Sequence, residues 1–173
     1  MLREGEDGEV VLDKTPFYAE SGGQVGDMGV LKSSEATAHV SMTRRLVGKM
    51  TLHGATLASG TLRVGDKVEA RVDETRRRAI ENHHTATHLL QAALRQALGE
   101  HVHQAGSYVG PDRLRFDFTH FEGIAPNRLH DIERLVNDYI RQNEAVVIVS
   151  KPIEEARAEG AMALFGEKYE DVV

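Results

Sequence analysis

Cysteine and tryptophan are both missing from this 173-residue chain, and each absence removes a class of explanation. Without Cys there is no disulfide framework, and no zinc site with thiolate ligands can be completed within these residues. Aromatic residues make up only 5% of the chain. The core must therefore come mainly from Leu, Val, Ile and Ala, which suits helices packed on a sheet. No apolar run reaches the roughly 18 residues that a membrane-spanning helix needs, and Met1 to Asp13 is acidic and polar. Neither a transmembrane helix nor a signal peptide is expected, which leaves a cytoplasmic address. An excess of basic charge is lacking too: the formal net charge is -6, so any contact with RNA must be local rather than spread over a uniformly basic surface. What is present, 40% hydrophobic and 28% charged residues, is the composition of an ordinary globular protein.

Short apolar pieces separated by Gly-rich turns fill the first part of the chain: Val10 to Leu12, Gly29 to Leu31, Ala38 to Met42, Met50 to Leu52 and Val68 to Val72. That spacing predicts a small β-barrel over residues 1–72. The texture changes at Asp73. Asp73 or Thr75 can cap a helix that runs to Leu98, with Gly99 as its stop. At about 100° per residue, Ile80, Thr87, Leu90, Leu94 and Leu98 form one stripe of it. Two strands, His101 to Val109 and Arg113 to Thr119, then alternate with period two around a Gly110-Pro111-Asp112 turn. Pro126 opens a second helix whose buried face carries Leu129, Ile132, Leu135, Val136, Tyr139 and Ile140. Ala145 to Val149 reads as a strand, Glu154 to Ala158 as a short helix, and Gly160 to Gly166 as an apolar, flexible stretch. The fold class expected is α+β: a barrel subdomain over 1–72, then helices on a largely antiparallel sheet over 73–173.

Three features carry chemistry. His84 and His88 stand four residues apart on the first helix, so their imidazoles lie one turn above each other and can approach a single metal ion. Thr85 follows the first of them where a metalloprotease helix has its glutamate, so that chemistry is not indicated. Two helix-surface histidines are the plainer reading. Thr15-Pro16-Phe17-Tyr18-Ala19-Glu20-Ser21-Gly22-Gly23-Gln24-Val25-Gly26-Asp27 is a Gly-rich loop able to bring backbone N–H groups close to an anion; read plainly, it connects two strands. Gln104 follows the helix on a strand, where its neutral amide can orient a polar group or serve structure alone. Arg44-Arg45 with Lys49, and Arg76-Arg77-Arg78, are local basic clusters. Three successive Arg on a helix point three ways, so a solvated face explains them more simply than a phosphate track.

Taken together and in order, Thr15 to Asp27, Asn82-His-His-Thr-Ala-Thr-His-Leu-Leu, Gln104-Ala-Gly-Ser, Arg115-Phe-Asp-Phe and Gly160 to Tyr169 resemble the editing region of bacterial-type alanyl-tRNA synthetases. The likeness covers most of the chain, from about Val10 to Tyr169. It implies a small barrel joined to an α+β domain shared with threonyl-tRNA synthetases and free-standing alanyl editing proteins. The activity it implies is hydrolysis of serine or glycine wrongly esterified to the tRNA for alanine. A pocket that selects alanine cannot fully exclude a smaller residue or one bearing an extra hydroxyl, so a second, hydrolytic sieve is needed. By the same likeness His84 and His88 are metal ligands for zinc; Gln104, Gln24 and Thr15 are candidate catalytic residues; Gly22 and Gly23 bind substrate. The partners implied are an alanine-specific tRNA and the rest of a synthetase, and ATP is needed only by the activating centre of that parent.

There is one departure. The family completes its zinc set with a Cys and a His beyond the stretch that matches Phe165 to Tyr169, and this chain reaches Val173 without any Cys. Weak zinc binding or none, and poor deacylation by the chain alone, are therefore expected; His120 and Asp117 are the substitutes within reach of sequence argument. Two alternatives compete: a non-catalytic tRNA-binding module, and a metal-dependent hydrolase of some other substrate.

Overall fold

The computed structural model describes residues 1–46, 50–145, 147 and 149–160. Their elements follow in chain order. The strands β1 (Leu2–Arg3), β2 (Asp7–Val11), β3 (Gly29–Lys32), β4 (Thr37–Arg45), β5 (Thr51–Ser59), β6 (Thr61–Leu62) and β7 (Glu69–Val72) come first. Then come α1 (Glu74–Leu98), β8 (Gln104–Val109), β9 (Leu114–Phe118), α2 (Pro126–Gln142) and α3 (Ile153–Ala158). The α+β class expected from the sequence is what the chain adopts. No described helix is long and apolar enough to cross a membrane.

By contact the chain divides into one unit of Met1–His84 with Tyr108–Leu114, and a second of Thr85–Ser107 with Arg115–Val173. The first holds a five-stranded sheet in the order β2-β5-β4-β3-β7, every pairing antiparallel. Alternation explains its inner face. Along β4, Ala38, Val40 and Thr43 are buried while His39, Met42 and Arg44 are exposed. The step from Val40 to Thr43 spans three residues because a bulge between Val40 and Met42 inserts one extra position against β5. Phe17, Leu31, Ala36, Ala38, Val40, Ala55, Leu57 and Leu62 form the core, with Leu2, Val10 and Val68 packed around it. Full burial of Leu31 and Leu57 contributes about 1.5–3 kcal/mol each. Two short strands unforeseen in the sequence, β1 and β6, pair with each other, and the Leu2 side chain covers Gly8, where a Cβ would collide with it.

In the second unit Ala93, Leu94, Val102 and Ile132 are buried together, and Leu90, Phe116, Phe118, Leu135, Val136 and Tyr139 close around them. Pro126 stands in the first turn of α2 as expected, and Asn143, in the left-handed region at φ 49°, ends it with its N–H on the Ile140 carbonyl. Ile132 is the buried residue of that helix. Leu129 and Ile140, also expected on its apolar face, are 51% and 52% exposed, so the buried stripe is narrower than the sequence spacing suggests. β8 and β9 pair, and Gly110 N–H closes their connection on the Arg113 carbonyl at 3.0 Å. The strand expected at Ala145 to Val149 falls partly outside the described residues, and the Gly160 to Gly166 stretch lies outside them after Gly160.

Candidate functional site

Helix α1 begins as its sequence dictates: the Asp73 carboxylate accepts the Arg76 N–H at 3.0 Å, satisfying one of the donors that a helix start leaves unpaired. Its far end stops at Gly99, whose φ of 118° excludes a side chain without strain. Ile80, Thr87 and Leu94 are buried along the stripe expected, with Leu90 and Leu98 half-buried. His84 and His88, off that stripe, are both exposed. His83 is half-buried and donates from Nδ1 to the Gly110 carbonyl at 2.7 Å.

The Gly-rich loop is the most heavily tied segment of the first unit. Gly22 and Gly23 have φ of 58° and 81°, the pair of left-handed conformations that a two-residue turn of this hand requires. Ser21 and Gln24 exchange backbone hydrogen bonds across it at 3.2 and 2.9 Å. Three sets of contacts then hold the loop in place. Glu20 N–H donates to the Thr43 carbonyl at 2.9 Å, Val25 N–H to Val109 at 3.1 Å, and Val109 N–H to Gly23 at 2.8 Å. Gly26 lies so near the Thr43 carbonyl that a Cβ there would clash with backbone.

The third set comes from α1. Arg76 donates to the Gly26 carbonyl at 2.9 Å. Arg77 donates from Nε to Asp27 at 2.9 Å, from Nη2 to the other oxygen of that carboxylate, and to the Pro16 carbonyl at 3.1 Å. The Asp27 side chain is 2% exposed and also accepts the Tyr18 N–H at 2.6 Å. A buried carboxylate is tolerated only when so fully paired. Its hydrogen bond holds the Arg77 guanidinium above its ordinary range. Two of the three successive arginines are thus structural clamps, which corrects the reading of the cluster as a solvated face.

A further contact joins the loop to α1, at the first of the paired histidines: His84 Nδ1 lies 2.7 Å from Gln24 Oε1. An amide oxygen only accepts, so the imidazole donates from Nδ1, which in a neutral ring leaves the lone pair on Nε2. The arrangement is the one by which proteins orient a ligating histidine. His88 follows four residues along α1. Among the described residues, however, no group of three or more His, Cys, Asp or Glu stands together in a way that could hold a metal ion. The two imidazoles fall short of the four ligands of a structural zinc or the three of a catalytic one. The described residues alone therefore do not fit zinc, and no step is derived through it. His120 pairs with His101 at 2.9 Å, and Asp117 with Arg115 at 3.1 Å.

Thr15 and Gln104 occupy different surroundings. The Thr15 hydroxyl lies 2.8 Å from His53 Nε2 and accepts the Phe17 N–H at 3.1 Å. His53 Nδ1 is 2.9 Å from the Val10 carbonyl and must donate to it, so Nε2 accepts from Thr15. Burial holds the His53 imidazole below its ordinary range, against a smaller upward pull from the Val10 carbonyl. Sequence reasoning missed His53, although its place two residues before Ala55 and four before Leu57 puts it on the inner face of β5. Gln104, in the second unit, buries its amide oxygen with no hydrogen-bond partner among the described residues. The hollows lined by Val10, Leu62 and Val64 and by Val30, His39 and Arg71 include none of the candidate site residues.

The profile of class II (A) tRNA synthetases matches residues 1–76. Against whole proteins the similarity runs through the chain. It is 57% identical over 169 residues to an alanine–tRNA ligase of Thermus thermophilus, covering 98% of this chain and 19% of that protein. It is 51% identical over 172 residues to the one of Geobacillus kaustophilus, covering 99% and 19%, and 54% identical over 173 residues to the one of Pseudomonas fluorescens, covering 100% and 20%. Over nearly its whole length the chain matches a stretch of alanine–tRNA ligases. It spans about a fifth of the length of the curated relatives it matches. Within that stretch the Gly-rich loop and the histidine helix meet through Gln24 and His84.

Proposed function

We propose that this chain is the part of an alanine–tRNA ligase that removes serine or glycine wrongly esterified to the tRNA for alanine. The attachment of alanine at the expense of ATP belongs, on this reading, to other parts of the parent protein, since no motif here resembles an activating centre. The observation that supports the reading is the 2.7 Å contact between Gln24 and His84. It joins the two motifs that the likeness to editing regions singles out, and it supplies an oriented imidazole beside a loop of exposed glycines.

The reaction asked of such a site is simple. Water adds to the ester carbonyl, the bond from carbonyl carbon to ribose oxygen breaks, and the ribose oxygen takes the proton. Backbone donors of the loop serve the developing oxyanion. His84 and His88 are the ligands this reading assigns to zinc, which in a complete set would polarise water or the carbonyl. Gln104 and Thr15 stay as candidate polar contacts, and Gly22 and Gly23 as backbone contacts to the aminoacyl group.

The test is release of serine from seryl-tRNA for alanine by this chain and by His84→Ala. Faster release than in buffer, reduced at least about 10-fold by the substitution, supports the proposal. Equal release by both proteins, or equal hydrolysis of simple amino-acid esters, sinks it. Binding of tRNA that falls steeply with salt and ignores the substitution, with no serine released, would point instead to a docking module.

A further inference from the structure

We infer that Gln24 is a positioning residue that acts through His84, fixing the imidazole as the tautomer protonated at Nδ1 so that Nε2 presents the lone pair. With the Gln24 oxygen facing the ring, the donor in the 2.7 Å contact is the imidazole. A histidine that must present one nitrogen reliably needs its other nitrogen bound to a fixed acceptor, since the two tautomers otherwise interchange.

Gln24 is built to be that fixed acceptor. Its backbone N–H and carbonyl are both committed to Ser21, and it also bridges to Val109. Two residues further on, Arg76 grips Gly26, and Arg77 grips the buried Asp27. These anchors come from α1, the helix that also carries His84. Donor and acceptor are therefore referenced to the same rigid element, and the loop cannot drift without breaking a buried ion pair. The residue that needs a precise place is not the one that binds most tightly: Asp27 and Arg77 hold, and Gln24 aims.

The tautomer claim stands on geometry alone, whereas its consequence for catalysis rests on the proposed deacylation. Both are tested with the intact chain. Side-chain nitrogen–proton correlation spectra of 15N-histidine protein, recorded where imidazoles are neutral and assigned by the peak lost in His84→Ala, report which ring nitrogen carries the hydrogen. The wild type is expected to show hydrogen on Nδ1 of His84. Gln24→Met, of similar size but without an acceptor, is expected to lose that pattern, and Gln24→Glu, which keeps an acceptor, to retain it. In parallel, kcat for serine release should fall about 10- to 100-fold in Gln24→Met with KM little changed, and recover in part in Gln24→Glu.

A wild-type spectrum with hydrogen on Nε2, or a Gln24→Met spectrum like the wild type, overturns the inference. If Gln24→Met fails to fold, the wild-type and Gln24→Glu spectra still decide it. The expected tautomer pattern in a protein that releases no serine would leave the positioning role standing and remove the deacylation reading.

Discussion

The two units differ in how far their described residues pair buried polar groups. In the first, Asp27, Thr43 and His53 are at most 1% exposed, and each is hydrogen-bonded: Asp27 to Tyr18 and Arg77, Thr43 to the Asp27 carbonyl at 2.8 Å, His53 to Thr15 and Val10. In the second, the amide oxygens of Gln91 and Gln104 are buried with no partner among the described residues, each at a cost of about 1–3 kcal/mol. The first unit is a closed network whose members specify one another's places. Among the described residues the second has a smaller buried apolar cluster, and two of its amide oxygens are buried without a partner. Rigid aiming of a side chain, as at Gln24, belongs to the first kind of interior.

Four measurements sharpen or break that contrast, taken from the largest expected effect. Replacing Asp27 by Ala strands the Arg77 guanidinium and the Tyr18 N–H, and should cost about 3–5 kcal/mol in urea unfolding, with amide exchange accelerated in β3 to β5. Uniform acceleration across α2 as well would mean that the two units do not unfold separately. Leu94→Ala empties part of the second core and should cost about 2–4 kcal/mol, seen as faster exchange in α1 beyond Thr85 and in α2. Slower protection loss there than in the sheet would show that the small cluster is not what stabilises the second unit.

The third concerns acid. His53 is held neutral by burial, below the ordinary imidazole range. A base whose folded value is depressed binds protons more readily when unfolded, so its contribution is complete above about pH 6.5 and is lost as pH falls through the folded value. Stability of the first unit should decline from about pH 6.5 downward, and His53→Gln should flatten that slope while lowering stability at neutral pH. An unchanged slope would assign the acid sensitivity to other groups. Smallest of all, Glu9→Gln removes the partner of Arg44, at 3.0 Å with both side chains about half exposed. A change within about 1 kcal/mol is expected, and a larger one would show that the network extends to the open face of the sheet.

Much of the fold was legible. Period two along β4 and the hairpin strands, a capping Asp73, a stopping Gly99 and the Pro126 start of α2 are local rules, and local rules act on neighbours in sequence. The stripe through Ile80, Thr87 and Leu94 was legible for the same reason. Arg77 was misjudged because its partner, Asp27, lies fifty residues away, and helix geometry alone sends three adjacent arginines in three directions. His53 escaped notice because a lone histidine in an apolar strand has no local signature of its hydrogen bonds. The expected strand near Ala145 has no such account, as it falls partly outside the described residues.

By itself the order of residues determined most of the helices and strands, and that His84 and His88 would share a helix one turn apart. These follow from backbone sterics and periodicity, which need no distant partner. Only the tertiary structure decided that Gln24 meets His84, that Asp27 is buried on Arg77, and that Thr15 spends its hydroxyl on His53. Those pairings depend on where remote parts of the chain come to rest, and a hydrogen bond between side chains is gained or lost within a few tenths of an ångström.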